Sequence, residues 1–307
     1  MNAPKQTNIF DKNNSEVDDT MSVLVTGVTG QLGFDVMREL SRVGIEAEGA
    51  ARRDFSLTDE AAARRFITAV KPSAVVHCAA YTAVDKAEDE ERTAFAVNAE
   101  GTRNIAKICR DINAKLIYIS TDYVFPGDGE YFYETPDPKD PQNVYGRSKL
   151  AGEYAVIETL AEYFIVRISW VFGINGKNFV RTMLDLSQTH EELKVVDDQV
   201  GSPTYTADLA HLLVNMVKSD RYGVYHATNE GICSWAQFAE EIFRQSGRKT
   251  RVVPVPSAAY PTKAKRPLNS RLSKNSLDAA GFARLPHWKD ALGRYLIELS
   301  ANPAQEL

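Results

Sequence analysis

Cysteine is scarce in this sequence. Cys78, Cys109 and Cys233 are the only three among 307 residues. They are odd in number, far apart and without C-x-x-C spacing, which excludes a disulfide framework and a zinc site and fits a reducing cytoplasm. Long apolar runs are missing too: no segment reaches the roughly 18 residues that a membrane helix needs. Positive charge is not in excess. A formal net charge of −5 argues against a general nucleic-acid binder and leaves room for a local basic patch. There is no internal repeat, so solenoid and propeller architectures are set aside.

What remains is the composition of a soluble globular protein, 44% hydrophobic and 25% charged, long enough for one large domain or two closely packed ones. Residues 1–20, MNAPKQTNIFDKNNSEVDDT, are polar throughout and read as a flexible leader, neither a signal peptide nor an anchor. From Met21 onward, strand-like and helix-like segments alternate. SVLVTG is a β-branched run. It is followed by Gly27, Gly30 and Gly33 and then by a helix with Leu32, Val36, Leu40 and Val43 on one face, stopped at Gly44. The alternation continues through IEAEGAA, DEAAARRFITAV, SAVVHCAA, RTAFAVNAEGTRNIAKICRDI and KLIYIST. It predicts parallel strands joined by right-handed helical crossovers, an α/β doubly wound sheet of the Rossmann type. PGDGEYFYETPDPKDPQ reads as a long loop on the ligand side; VYGRSKLAGEYAVIETL then returns to helix and YFIVRIS to strand. Beyond about residue 175 the pattern is mixed. Residues 21–174 are therefore assigned mainly to a dinucleotide-binding domain carrying the catalytic groups, and residues 175–307 mainly to a smaller substrate-binding lobe with some segments returning to the sheet.

Three patterns carry chemistry. The first is T-G-x-x-G-x-x-G over residues 26–33. Glycines at a strand-to-helix turn admit a pyrophosphate to the backbone, and the helix N-terminus offers unpaired N–H groups to hold it. The spacing departs from G-x-G-x-x-G. The second is the end of the second strand, where an acid would bind the ribose hydroxyls of NAD. Arg52 and Arg53 stand there instead. They suit the 2′-phosphate of NADP, or are solvated surface residues, so NADPH is favoured with NADH still open. Asp54 follows, near the expected adenine. The third is Tyr145 and Lys149, four residues apart on one helix face. An ammonium there would lower the tyrosine's pKa and make it a useful proton donor near neutrality. Thr121 ends a strand 24 residues upstream, where α/β sheets bind ligands; it would polarise a substrate carbonyl, with Ser120 as a competitor for that role.

TGVTGQLG, STDYVF and YGRSK, in this order, resemble the extended short-chain dehydrogenase/reductase family. CAAYTAVDKAE, STDYVFPG, VYGRSK, RISWVFG, VVDDQVGSPT and KRPLNS narrow the resemblance to the dTDP-4-dehydrorhamnose reductases and span nearly everything from residue 21 onward. The resemblance implies hydride transfer from NADPH, or NADH, to C4 of dTDP-4-dehydro-L-rhamnose, with Thr121, Tyr145 and Lys149 as the catalytic triad. Lys149 would also hold the nicotinamide ribose. It further implies a cofactor site formed by Gly27, Thr29, Gly30, Gln31, Leu32, Arg52, Arg53, Asp54, Phe55, Ala79, Ala80, Tyr81 and Asn98 beside Tyr145 and Lys149. The sugar nucleotide falls to Thr82, Val84, Asp122, Tyr123, Trp170 and Arg266. Arg248 to Lys274 contains eight Lys or Arg and no acid, a field that suits a diphosphate.

The fold also hosts nucleotide-sugar dehydratases and epimerases, so the fold alone does not fix the reaction. Related dehydratases carry an Asp-Glu pair after the threonine; the sequence here is Thr121-Asp122-Tyr123, which favours ketone reduction. A non-catalytic alternative, resembling the regulatory subunit of methionine adenosyltransferase, is disfavoured because Thr82-Ala83-Val84-Asp85 is kept. Some members of the family hold magnesium through glutamates, one of them in the first helix. Asp35 stands at a comparable place without a cluster of glutamates, so no bound metal is expected, and the chain is expected to be a monomer or a homodimer.

Overall fold

A computed structural model describes residues 21–301, and the leader expected over residues 1–20 lies outside them. Strand β1 (Ser22–Thr26) leads through helix α1 (Gln31–Arg42) to β2 (Glu46–Ala50), α2 (Glu60–Val70) and β3 (Ala74–His77). Short helices α3 (Val84–Ala87) and α4 (Glu91–Phe95) precede α5 (Thr102–Asp111), then come β4 (Lys115–Thr121), α6 (Val144–Thr159) and β5 (Tyr163–Ile168). A sixth strand, Gly223–His226, returns from the second half of the chain to the far side of β5. The sheet order is Gly223–His226, β5, β4, β3, β1, β2, with every pair parallel.

Leu32, Val36 and Leu40 of α1 are buried as the spacing predicted, and they pack with β1, β3 and the helix Thr206–Val217 on one face of the sheet. Burial of each such side chain stabilises the fold by about 1.5–3 kcal/mol. On the other face α2, α5 and α6 cover Leu24, Val75, Leu116 and Ile165. Chain order reverses between β1 and β3, which opens a crevice at the carboxyl ends of these two strands, where an α/β sheet takes its ligand.

The segment expected as one helix over 92–112 is interrupted. Residues Ala96–Gly101 form a π-helical turn between α4 and α5. The widened turn carries Asn98, and such turns cluster at functional sites.

The second half of the chain builds smaller layers. A three-stranded sheet joins Val200–Gly201 to Cys233–Ser234 and to Asn269–Ser270, so that VVDDQVGSPT and KRPLNS meet in space. An aromatic core of Phe172, Tyr205, Phe238, Trp288 and Tyr295 supports it from below.

Candidate active site

The floor of the crevice is backbone. Gly27 has φ +72°, and a Cβ there would lie 2.7 Å from the Ala79 nitrogen at the end of β3. A Cβ on Gly33 would lie 2.4 Å from the Gly27 carbonyl oxygen. Only glycine lets the turn close onto β3 and α1 at once. No side chain caps α1 at Gly30, so its first N–H groups face the crevice. Asn175 holds the turn from the second half by donating to the Thr29 carbonyl at 3.0 Å, and Asn178 donates to the Gln31 side chain at 3.1 Å.

Arg52 and Arg53 are exposed beyond β2, and Asp54 accepts from the Ala51 N–H at 2.7 Å, fixing the turn that presents them. Two residues expected at the cofactor have buried side chains. The side chains of Phe55 and Leu32 are in the core, Phe55 against Phe66 at 5.2 Å between ring centroids, because each sits where its element turns inward. Ala79, Ala80 and Tyr81 form the half-buried chain leaving β3, and Thr82 and Val84 continue it, Thr82 exposed. Asn98 fixes this chain. Its side chain accepts from Tyr81 N–H at 2.8 Å and donates to the Tyr81 carbonyl at 3.1 Å and to the Ser148 hydroxyl at 2.9 Å. Ser148 in turn donates to the Tyr145 carbonyl at 2.8 Å, so Asn98 couples the end of β3 to α6.

At the end of β4, the Thr121 hydroxyl donates to Asp122 Oδ1 at 2.9 Å and accepts from Tyr123 N–H at 3.2 Å. Ser270 donates to the other Asp122 oxygen at 2.5 Å. Burial pushes the Asp122 carboxyl up to about 6 against these two donors. The Tyr123 ring meets the Tyr145 ring edge-on at 5.4 Å. Arg266 donates to the Tyr123 hydroxyl at 3.1 Å and to Asp85 at 2.5 Å. Thr121, Asp122, Tyr123, Tyr145 and Arg266 therefore form one cluster. The competitor Ser120 is committed elsewhere: its hydroxyl donates to Glu153 at 2.5 Å.

The expected electrostatic coupling of Lys149 to Tyr145 is not found. Burial raises the Tyr145 hydroxyl's pKa well above its ordinary value, with the nearby Thr121 hydroxyl opposing and Asp122 adding to the rise. Lys149 is itself pushed down to about 7 by burial, which the Glu153 carboxylate resists. The reason is geometric. The Lys149 ammonium donates to the Ile119 carbonyl at 2.7 Å and lies 4.0 Å from the centre of the Tyr118 ring, along β4 rather than at the tyrosine hydroxyl.

Trp170 has a left-handed backbone, φ +50°, and is half-buried. A bulky residue in that region is strained, and such strain gathers at ligand sites. Its ring stacks on Trp235 at 3.7 Å and lies against Gly201. Sequence reading assigned no role to Trp235, to Asp85 or to Ser270. Ser270 closes the quoted KRPLNS and Asp85 closes T-A-V-D, so the signal was present. For Trp235 there was none, since its partner is 65 residues away.

Asp35 does not face outward. It accepts from Thr206 and, at 2.9 Å, from Arg38, tying α1 to the helix Thr206–Val217. Among the described residues no group of three or more His, Cys, Asp or Glu could hold a metal ion, and no helix is long and apolar enough to cross a membrane.

Comparison with known proteins places this geometry among relatives. The family model described as RmlD substrate binding domain matches residues 21–301. The spore coat polysaccharide biosynthesis protein SpsK of Bacillus subtilis is 42% identical over 91% of this chain and 98% of its own length. A dTDP-4-dehydrorhamnose reductase of Streptomyces griseus is 44% identical over 88% of this chain and 91% of its own. Among solved structures, a dTDP-4-dehydrorhamnose reductase from Bacillus anthracis in complex with NADP superimposes with a TM-score of 0.89 at 41% identity, covering 91% of this chain and 99% of that one.

Proposed function

Because the chain belongs to the RmlD family of dTDP-4-dehydrorhamnose reductases, we propose that it reduces the C4 ketone of dTDP-4-dehydro-L-rhamnose to dTDP-L-rhamnose. The step completes synthesis of the activated sugar. The observation that carries the reading is the single cluster of Thr121, Asp122, Tyr123, Tyr145 and Arg266 at the carboxyl end of β4, beside a glycine-floored crevice.

The residues fit a nicotinamide dinucleotide. Gly27 lets the turn close against the backbone of Ala79, the N-terminus of α1 has no side-chain cap to compete with a pyrophosphate, and Arg52 and Arg53 suit a 2′-phosphate. When bound, NADPH, or NADH less favourably, supplies the hydride. The other acts belong to the chain. Tyr145 delivers a proton to the carbonyl oxygen as charge develops on it, and its raised pKa keeps that proton in place until then. Thr121 polarises the same oxygen once its single hydroxyl proton turns from Asp122 toward the substrate, while the Tyr123 N–H continues to hold its oxygen in place. Lys149 holds the ribose. Arg266 meets the diphosphate, and Trp170 with Val84 and Thr82 borders the sugar and base. Residues 21–174 supply mainly the cofactor site and the catalytic residues and residues 175–307 mainly the substrate lobe, with segments such as Gly223–His226 returning to the sheet, and the reaction takes place in the cytoplasm.

The test is loss of nicotinamide absorbance by the purified protein with NADPH or NADH and dTDP-4-dehydro-L-rhamnose made in the same vessel. Oxidation that requires the keto sugar and yields dTDP-rhamnose is expected. Cofactor binding without oxidation would reject the assignment.

A further inference from the structure

Strand β5 delivers an aromatic side chain to the edge of the cluster. Ile168, its last residue, is in register with Thr121, and Trp170 follows two residues later. Gly201 joins Trp170 to the cluster: a Cβ there would lie 2.8 Å from the Ser270 Cβ and 3.0 Å from the Trp170 ring. Ser270 donates to Asp122 at 2.5 Å. Trp170 is thus connected to Asp122 through Gly201 and Ser270.

The backbone of Trp170 is pinned on both sides. Ser169 donates its hydroxyl to the Ser202 carbonyl at 2.9 Å, and Thr204 donates its hydroxyl to the Ser169 carbonyl at 2.6 Å. The Thr204 N–H donates to the Trp170 carbonyl at 3.1 Å. A left-handed φ on a bulky residue persists only where its surroundings over-determine it, and here the segment GSPT does so. These bonds fix the backbone and leave the long planar side chain to another partner. That partner is Trp235, whose ring lies 3.7 Å from the Trp170 ring between centroids and 12° from parallel.

Trp235 is the first residue of the helix Trp235–Ser246, and its place is set by contacts other than Trp170. Ser234 caps the helix, its hydroxyl accepting from the Gln237 N–H at 3.1 Å while the Gln237 side chain accepts from the Ser234 N–H at 2.9 Å. The Trp235 indole N–H donates to the Gln199 side chain at 3.2 Å, and Gln199 donates to the Ser257 hydroxyl at 2.9 Å. Phe179 packs on the Trp235 ring at 4.6 Å, tilted by 54°. An indole with its N–H bonded and a second ring against it is held in one orientation.

We propose that Trp235 is a positioning residue for the sugar nucleotide. Held by Gln199 and Phe179, it backs Trp170 and fixes the plane of the indole that the substrate meets at the end of β5. A stack that served the core alone would not call for a strained backbone in one of its members.

The inference rests on the sugar-side role given above to Trp170, and binding of dTDP-rhamnose, which needs no turnover, tests it. Trp170, Trp235 and Trp288 are the only tryptophans in the chain. Each resonance of 19F-labelled tryptophan is therefore assigned by its loss on replacement with Phe. The Trp170 resonance is expected to shift with dTDP-rhamnose. Trp235→Leu removes the stack, and calorimetry should show Kd for dTDP-rhamnose rising about three- to tenfold. Kd for NADPH should change by less than about twofold, whereas loss of the fold would weaken both. Trp235→Phe keeps a ring behind Trp170 and should recover most of the affinity. Because Trp235 acts through Trp170, Trp170→Leu/Trp235→Leu should bind dTDP-rhamnose no more weakly than Trp170→Leu alone.

An unchanged Kd in Trp235→Leu, equal losses toward both ligands, or additive losses in the double variant each overturns the proposal and leaves Trp170 in the site. A Trp170 resonance indifferent to dTDP-rhamnose removes Trp170 from the site and the proposal with it. Absence of keto-sugar turnover in the parent protein overturns the reaction instead, and the affinity series remains readable.

Discussion

Thr121 donates its hydroxyl proton to Asp122 at 2.9 Å while Ser270 donates to the same carboxylate from the opposite side. The carboxylate therefore fixes which way the Thr121 oxygen faces, and it does so from a buried position that raises its own pKa to about 6.

That elevation has a direction for stability. From about pH 4 to about pH 6 the folded protein holds the Asp122 proton while the unfolded chain has released it, so stability falls as pH rises through this window. Above it the penalty is complete, on the order of 2–3 kcal/mol. Asp122→Asn is neutral throughout. Urea denaturation at pH 4 and pH 8 should show the variant gaining on the parent protein at pH 8, and a constant difference between the two would contradict the assignment.

Tyr145→Phe removes the proposed proton donor and leaves the ring against Tyr123. Turnover should fall by about 10²- to 10⁴-fold, and NADPH affinity, measured by fluorescence titration, should change by less than about threefold. Undiminished turnover would take Tyr145 out of the mechanism.

Arg266→Ala removes the charge-assisted donor proposed to meet the diphosphate. KM for the sugar nucleotide should rise by about ten- to a hundredfold, corresponding to about 1.5–3 kcal/mol, with kcat changed much less. Asp85→Asn, which leaves the guanidinium in place, is the companion measurement. A fall in kcat alone for Arg266→Ala would indicate that Arg266 acts on Tyr123 rather than on substrate.

Gly27→Ala places a methyl group against the backbone of Ala79 at a left-handed φ. The backbone conformation alone costs about 1–3 kcal/mol, and denaturant midpoints should fall accordingly while NADPH binding weakens. Normal stability and normal binding together would mean that the turn is free to move off β3.

The doubly wound sheet was legible because each strand and helix advertised itself locally: SVLVTG before its glycines, Leu32, Val36 and Leu40 on one face, DEAAARRFITAV at α2. The cluster at β4 was legible through Thr121, Tyr145 and Arg266. Less visible was how those residues are tied. The π-helical turn at Asn98 depends on contacts to Tyr81 and Ser148, 17 and 50 residues away, which no local propensity encodes. The same holds for Trp170 and Trp235. The lysine's direction was misjudged for a related reason: spacing on a helix says which residues share a face, and only the packed neighbour, here the Ile119 carbonyl, decides where a long flexible side chain comes to rest.

Arg52 and Arg53 project from a turn at the outer edge of the sheet, exposed and held in shape by Asp54. Their replacement should leave folding within about 0.5 kcal/mol of the parent. The glycine floor a few ångströms inward tolerates no such change. With Arg52 and Arg53 in their proposed role at the 2′-phosphate, choice between the two nicotinamide cofactors is uncoupled from the integrity of the fold, and a lineage carrying this scaffold can drift from one redox pool of the cell to the other by surface substitution alone.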